Sequence, residues 1–328
     1  MKKEIVLSGM RPTGTLHLGN YFGALKRWSE VQSDHDCYWM VADLHSLTTL
    51  ESTADIEKTT LEMTTLWLAA GLDPERSTIF LQSAVPEHGE LNAIFATLLP
   101  TSMLELNPTY KEMTAEHPKS GSFGILNYPV LQAADILLYK ASRVPVGRDQ
   151  EPHIEITREI ARRFNNKFGE FFAEPHALFS ETPKIYSLTE PEKKMSKSGR
   201  PDSYIGLLDD EKIVREKIKG AITDSGSEIV YDPEQKPALA HLIDLLHLSS
   251  GKPIENVVSE HGGAGYASFK TALAESVSAM LIPIQERFRS YKPADVKNIL
   301  ADGTAKARAV AQKNLGDIKE KIGLLNLK

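Results

Sequence analysis

The stretch His17-Leu18-Gly19-Asn20 decides the fold, because it stands between an apolar run at residues 5–7 and a helical pattern. The apolar run predicts a first strand, and a glycine-rich loop follows it. In parallel α/β folds, a loop between a first strand and a helix amino terminus binds the phosphates of a nucleotide. The spacing of Gly9, Gly14 and Gly19 matches neither G-x-x-x-x-G-K-[ST] nor G-x-G-x-x-G.

The chain around this stretch alternates buried strands with helices in its first half. Further strands are predicted at Tyr38–Ala42, Thr78–Leu81 and Val144–Val146, separated by helical segments such as 56–70 and 90–99. This alternation is typical of a parallel sheet covered on both faces. After Ser198 nearly every segment has a helical pattern, namely 209–219, 238–248, 268–289 and 293–321.

These patterns predict an α/β fold class with two domains. Residues 1–190 are expected to form a doubly wound parallel-sheet, Rossmann-like nucleotide-binding domain. Residues 191–328 are expected to form an all-helical domain. The length of 328 residues suits two domains better than one core.

The composition predicts a cytoplasmic globular protein, with 41% hydrophobic and 25% charged residues. No apolar run approaches the roughly 20 residues that span a bilayer, and the amino terminus lacks a signal-peptide pattern. The single cysteine excludes an internal disulfide and a cysteine-built metal site, so no structural metal is expected. The net charge of -6 argues against nonspecific nucleic-acid binding, although a local basic face can still meet RNA.

A second informative stretch, Lys194-Met195-Ser196-Lys197-Ser198, lies where the two predicted domains meet. Most lysine-rich stretches are solvated linkers. The alternative is a mobile loop that brings two ammonium groups onto a triphosphate, a role that suits lysine as a point charge on a long stem.

Together, the two stretches resemble the HIGH and KMSKS motifs of class I aminoacyl-tRNA synthetases, in the same order along the chain. The resemblance implies activation of an amino acid by ATP and its transfer to tRNA, with Mg²⁺ bound to the ATP. Catalysis is then mostly positioning and charge stabilisation. The resemblance implies four catalytic residues, which are His17, Asn20, Lys194 and Lys197.

The resemblance also carries the ATP contacts of the family to positions of this chain. Gly147 and Asp149 are expected near the ribose. The full set of implied ATP-binding residues is Arg11, Pro12, Thr13, Gly19, Asn20, Gly147, Arg148, Asp149, Ile185, Lys194, Met195, Ser196, Lys197 and Ser198.

An amino-acid pocket is predicted on a helix that starts near Tyr128, where Tyr128, Gln132 and Asp135 share one face. Asp135 has apolar neighbours, and a buried carboxylate needs a donor partner. That partner is either a protein group or a substrate indole N–H or phenol O–H. The resemblance adds Gly9 and His45 to the pocket, although His45 alone could equally be a core histidine.

The choice of amino acid follows from segment similarity. Residues 144–158 and 283–287 resemble the tryptophan branch of the family, which implies L-tryptophan and tRNA(Trp) as substrates and a homodimer. Tyr128-x3-Gln132-x2-Asp135 resembles the tyrosine branch, so tyrosine activation is the alternative. A nucleotide-binding regulator on the same scaffold, without aminoacylation, is a third hypothesis.

Two helical patterns in the second half carry many basic residues. Without the resemblance, these would be solvated helix faces. With it, they form an expected tRNA surface. The residues concerned are Lys212, Arg215, Lys217 and Lys219 in one helix, and Lys306, Arg308, Lys313, Lys319 and Lys321 in another.

Overall fold

A parallel sheet forms the centre of the computed structural model, which describes residues 3–50, 52–107, 110–111, 123–147, 150–179, 182–197 and 199–325. Within these residues, five strands lie in the order β3-β2-β1-β4-β5, and all neighbouring pairs are parallel. The predicted Rossmann-like class is therefore confirmed. The strands are β1 (Ile5–Met10), β2 (Asp36–Val41), β3 (Ser77–Leu81), β4 (Arg143–Val146) and β5 (His176–Phe179).

Helices connect the strands and make up most of the chain after residue 206. The motif helix begins as a short α-helical turn, passes through a π-helical stretch at Tyr21–Leu25 and continues as α-helix. The α-helices are α1 (Leu18–Asn20), α2 (Lys26–Val31), α3 (Asp43–Ser46), α4 (Ile56–Ala69), α5 (Glu87–Ala96), α6 (Thr101–Glu105), α7 (Phe123–Leu138), α8 (Glu151–Phe168), α9 (Glu211–Gly220), α10 (Pro237–Ser250), α11 (Ile254–His261), α12 (Gly265–Ser290) and α13 (Pro293–Lys321).

Two elements differ from the sequence prediction. Strand β5 was not predicted, because its four residues are only partly buried and lack a long apolar run; pairing with β4 makes it a strand. Helix α7 begins at Phe123 rather than near Tyr128, so Pro129 lies inside the helix. The prediction placed the proline in the first turn, where it is most common, and that start was wrong.

Each face of the sheet has its own hydrophobic core. On one face, Trp28 stacks on Trp39 with ring centroids 4.8 Å apart, and the edge of Trp67 meets Trp28 at 5.3 Å. Buried side chains of α9, α10 and α12 join this same core. On the other face, α5, α7 and α8 pack together around Phe95 and Phe164. Helices α9, α10 and α12 therefore share their core with one face of the sheet.

The last helix, α13, crosses from one face of the sheet to the other. Val296 and Leu300 lie in the first core, and the following turns of α13 lie in the second. At the crossing, the Thr304 hydroxyl accepts a hydrogen bond of 3.1 Å from the backbone N–H of Leu81, in edge strand β3. The helix thus covers a sheet edge that would otherwise expose unpaired backbone groups.

We predict that Gly303→Ala destabilises the fold, because a Cβ at this position would overlap the Ile79 carbonyl group and would lie 2.8 Å from its carbon. A backbone group in a sheet cannot move aside easily, so the expected loss is about 1–3 kcal/mol or more. The urea midpoint and the Tm measure it.

Gly316→Ala on the same helix is the matched control. A Cβ there meets no atom within 4 Å, so the higher helix propensity of alanine should stabilise the protein by up to about 1 kcal/mol. Equal effects of the two substitutions would contradict the close crossing at Gly303.

Candidate active site

Functional side chains collect at the carboxyl edge of the sheet. The His17 turn follows β1, His45 follows β2, Gln82 follows β3 and Gly147 follows β4. Because the strands are parallel, their carboxyl ends share one edge. The strand order reverses direction between β1 and β4, and ligands of open α/β sheets bind at such a switch point.

The His17-Leu18-Gly19-Asn20 turn is a capping box that starts α1. The His17 ring accepts a hydrogen bond at Nδ1 from the Gly19 N–H (3.1 Å), and the His17 N–H donates to Asn20 Oδ1 (3.0 Å). A Cβ on Gly19 would lie 2.9 Å from the imidazole ring, so only glycine permits this placement. Histidine and asparagine three positions apart therefore build the turn as well as line it.

The same turn decides the protonation state of His17. Burial, together with the charges of Lys197 and Lys194, lowers the pKa of His17 to about 4. The imidazole is neutral at physiological pH. Since Nδ1 accepts a hydrogen bond, the proton resides on Nε2, which is a hydrogen-bond donor. A neutral N–H donor beside two ammonium groups suits a phosphate oxygen.

The lysine loop is held in place by backbone pairing. The Met195 N–H donates to the Ile185 carbonyl (2.9 Å), and the Ser187 N–H donates to the Lys193 carbonyl (2.8 Å). Met195 is buried in the first core and anchors the loop. Beyond the loop, the Ile205 carbonyl accepts from the Leu18 N–H at 3.0 Å, which ties the returning chain to the His17 turn.

Lys197 reaches the loop after β1. Its ammonium group donates to the Thr13 hydroxyl at 2.7 Å and to the Thr13 carbonyl oxygen. Burial lowers the pKa of Lys197 to about 8, and the nearby Arg11 guanidinium lowers it in the same direction. Arg11, Lys194 and Lys197 thus place positive charge around a neutral histidine, which is the electrostatic requirement for binding a polyphosphate.

The second half of the site is built around Asp135, whose side chain is 1% exposed. Its carboxylate accepts hydrogen bonds from His45 Nε2 (2.9 Å), His88 Nδ1 (2.6 Å) and Gln82 Nε2 (2.9 Å to each oxygen). Burial opposes ionisation, yet the histidine charges and hydrogen bonds outweigh it and hold the pKa of Asp135 below its usual range. The buried Tyr139 hydroxyl bonds His88 Nε2 at 3.0 Å and completes the network.

Tyr128 is partly exposed and lies beside the Asp135 network. The Tyr128 ring meets the His45 ring edge-on at 5.9 Å, and its hydroxyl bonds His153 Nδ1 at 2.9 Å. The His45 side chain is 10% exposed, whereas the His88 side chain is 0% exposed. His45 therefore lies on the more accessible side of the Asp135 network.

The structure brings most of the predicted site residues to two neighbouring places. Tyr128, His45 and Asp135 are in contact, Pro12 accepts a hydrogen bond from Thr59 beside the phosphate loop, and Ile185 pairs with the lysine loop. The contacts described above do not involve Gly9, Gln132, Gly147 or Ser196. The functional roles of all the predicted site residues remain predictions. Three predicted ATP contacts lie outside the described residues: Arg148, Asp149 and Ser198.

Sequence reasoning missed His88 and Gln82, the buried partners of Asp135. Gln82 comes directly after β3, so the rule that ligand-binding residues follow the carboxyl ends of strands could have identified it. His88 lies in the first turn of α5 and has no local pattern that marks it.

No group of three or more His, Cys, Asp or Glu side chains lies close enough to hold a metal ion in the part of the chain that the structure describes. No helix among these residues is long and apolar enough to cross a membrane.

Known proteins resemble this chain in both sequence and fold. Residues 1–282 match the family model described as tRNA synthetases class I (W and Y). The chain belongs to this family. It is therefore an aminoacyl-tRNA synthetase, a ligase that depends on ATP, as the two motifs imply.

Several relatives are similar along nearly their whole length. A tryptophan–tRNA ligase of Caldanaerobacter subterraneus subsp. tengcongensis is 42% identical over 322 residues, which cover 98% of each chain. Tryptophan–tRNA ligase 2 of Streptomyces avermitilis is 43% identical over 329 residues, again with 98% coverage of each. The crystal structure of a Campylobacter jejuni tryptophanyl-tRNA synthetase complexed with ADP and tryptophan is 35% identical with a TM-score of 0.85, covering 98% of this chain and 100% of that one.

We predict a pH dependence of ATP use that comes from Lys197. Because its pKa is lowered to about 8, the free enzyme loses this ammonium as the pH rises through that value. In ATP–pyrophosphate exchange, kcat/KM for ATP should be highest below about pH 8 and fall above it. Lys197→Arg should abolish the fall, since a guanidinium stays charged throughout.

Lys193→Arg provides the control, because Lys193 is exposed in the same loop and pairs with Glu190. It should leave the pH profile unchanged. A fall near pH 8 that persists in Lys197→Arg would assign the ionisation to another group.

Proposed function

We propose that the chain is a tryptophan–tRNA ligase, which converts L-tryptophan and ATP to tryptophanyl-adenylate and pyrophosphate and then transfers tryptophan to tRNA(Trp). The observation that carries the activation step is the contact of Lys197 with Thr13 beside the capped His17 turn. The choice of tryptophan is supported by the near full-length similarity to tryptophan–tRNA ligases.

The residues of the phosphate site act mainly by charge and position. The amino-acid carboxylate is already a nucleophile, so attack on the α-phosphorus needs no general base. Negative charge grows on the departing pyrophosphate, where the His17 Nε2–H donor and the ammonium groups of Lys194 and Lys197 stabilise it. Asn20 fixes the backbone of the turn.

Mg²⁺ is proposed to arrive with the ATP. The side chains described around the turn are cations and amides, whereas Mg²⁺ prefers oxygen ligands and usually keeps substrate phosphates among them. The ion would neutralise phosphate charge during the reaction, and the remaining predicted ATP contacts would hold the adenosine.

The amino-acid pocket is proposed to lie between Tyr128, His45 and Asp135, with Gln132 and Gly9 at its edges. A site built to accept a hydrogen bond from a substrate group rejects analogues that lack the donor. All acceptor positions of Asp135 are occupied by protein donors, so an indole N–H binds there by sharing or displacing one of them. His45 is the partner most easily displaced from Asp135, because it is less buried than His88.

The transfer step requires a surface for tRNA, which we place on the helical region that begins at residue 191. The domain division at 190 remains part of this proposal. Arg308 and Lys319 of α13 already pair with Glu87 and Glu90, so they are poorer candidates than Lys306, Lys313 and Lys321 on the same helix. In α9, Lys217 pairs with Asp209 at 2.6 Å, which leaves Lys212 and Lys219 as better candidates than Lys217.

A homodimer is the proposed assembly, and the cytoplasm is the proposed location. Support for a protomer interface comes from Leu106 and Phe123, large apolar side chains that are 69% and 71% exposed. Aromatic side chains such as that of Phe123 are enriched at protein interfaces relative to the rest of the surface.

Amino-acid-dependent ATP–pyrophosphate exchange tests the proposed function. We expect exchange with tryptophan and little with tyrosine. Exchange with tyrosine alone would support the tyrosine branch, and the absence of exchange with either would support a regulator built on this scaffold.

A second prediction tests the pocket. Asp135→Asn should raise KM for tryptophan roughly ten- to hundredfold, because hydrogen bonds to a charged acceptor are lost, while KM for ATP changes little. Asp244→Asn is the control, since Asp244 of α10 accepts a hydrogen bond from Tyr231 and takes part in none of the hydrogen bonds described around Asp135. A rise confined to KM for ATP would place the pocket elsewhere.

A further inference from the structure

We propose that the carboxyl-terminal helix α13 positions the amino-acid pocket, although it is far from the pocket in sequence and touches no substrate. It binds three segments, and each carries one component of the Asp135 network. The inference rests on the proposed function, because it takes the Asp135 network as the place where the amino acid is recognised.

The first contact is at strand β3. The Thr304 hydroxyl accepts the backbone N–H of Leu81 at 3.1 Å. Leu81 directly precedes Gln82, whose amide donates to both oxygens of Asp135 at 2.9 Å. Because the edge strand has no strand neighbour on this side among the described residues, Thr304 fixes the position at which the chain leaves the sheet toward Asp135.

The second contact is at the start of α5. Arg308 Nε donates to Glu87 Oε1 at 3.2 Å, and the Glu87 side chain is only 9% exposed. Glu87 directly precedes His88, whose ring donates to Asp135 at 2.6 Å. Solvent and salt screen an ion pair with one buried member less than they screen an exposed pair. Arg308 therefore fixes the position of the first turn of α5, and with it the position of the His88 ring relative to Asp135.

The third contact is on α7 itself. Asn314 Nδ2 donates to the Leu138 carbonyl at 2.8 Å, at the end of the helix that carries Asp135. Leu138 lies three residues after Asp135, within one helical turn. Asn314 satisfies a carbonyl at the helix end that has no partner within the helix and fixes α7 relative to α13.

Two of these three contacts share one face of α13, and the third lies further along the same helix. Thr304 and Arg308 are four residues apart, so they lie one above the other on the same helical face. Gly303, Ala307 and Ala311 are buried beside them and are small enough to let the helix lie against the sheet edge. One helix thus sets the positions of the end of β3, the start of α5 and the end of α7 relative to one another. The hydrogen bonds around Asp135 are 2.6–2.9 Å long and tolerate little displacement of these segments.

Steady-state ATP–pyrophosphate exchange tests the proposal in the full-length enzyme. Thr304→Val removes the acceptor for Leu81 at nearly constant volume, and Arg308→Gln removes the ion pair on a side chain that is 47% exposed. Each should raise KM for tryptophan roughly three- to tenfold, the effect of one hydrogen bond, while kcat and KM for ATP stay within about twofold. Thr304→Ser keeps the hydroxyl and should restore the original KM.

Lys297→Gln is the matched control. Lys297 also lies on α13 and pairs with Glu57 of α4 at 2.8 Å, but this contact adjoins no member of the Asp135 network. It should leave KM for tryptophan unchanged. A purely structural role for α13 would lower the Tm of the variants without separating KM for tryptophan from KM for ATP, and that result would overturn the proposal. An equal rise of KM for tryptophan in Lys297→Gln would overturn it as well.

The outcome can be told apart from a failure of the proposed function. If the unmodified enzyme does not exchange with tryptophan, the proposed function fails. If it does exchange, and Asp135→Asn raises KM for tryptophan whereas Thr304→Val and Arg308→Gln do not, only the positioning role of α13 fails. Should Thr304→Val not fold, the surface variant Arg308→Gln still gives the decisive measurement.

Discussion

The buried carboxylate of Asp135 is the constraint on which much of the structure depends. An ionised group inside a protein costs several kcal/mol unless hydrogen bonds and opposite charge surround it. Its partners are His45, Gln82 and His88, which come from the chain after β2, from the end of β3 and from α5. These elements can meet α7 only if the sheet has its observed order and if the helices pack on the same face.

The two halves of the active site differ in their charge balance. Around Asp135, hydrogen-bond donors of the protein satisfy the carboxylate internally. Around His17, the cations Arg11, Lys194 and Lys197 lower the pKa of neighbouring groups rather than pairing with a carboxylate. The half around Asp135 is therefore organised before any substrate binds, and the half around His17 is complementary to an anion that the substrate supplies. This division suits an enzyme whose chemistry consists of positioning and charge stabilisation.

Helix α13 shows how basic residues that appear equivalent in a sequence take different roles. Five cations on this helix suggested an RNA-binding face. Two of them, Arg308 and Lys319, instead bind acidic residues of α5 and attach the helix to the sheet domain. The same helix covers the edge of β3 and contributes to both cores. The last segment of the chain thus completes the domain formed by the first, so the two predicted domains are closely joined through it.

The sequence by itself determined the features that short segments encode. The apolar runs predicted four of the five described strands, and His17-Leu18-Gly19-Asn20 encodes its own turn, because its capping hydrogen bonds join residues two or three positions apart. Tertiary structure alone decided contacts between distant residues, such as His88 with Asp135, 47 positions apart, and Thr304 with Leu81, 223 apart. It also decided β5, which is a strand only because β4 lies beside it. No local sequence pattern encodes these contacts or strand β5. Each depends on how the folded sheet brings two distant segments together, and each segment alone is too polar or too short to reveal its partner.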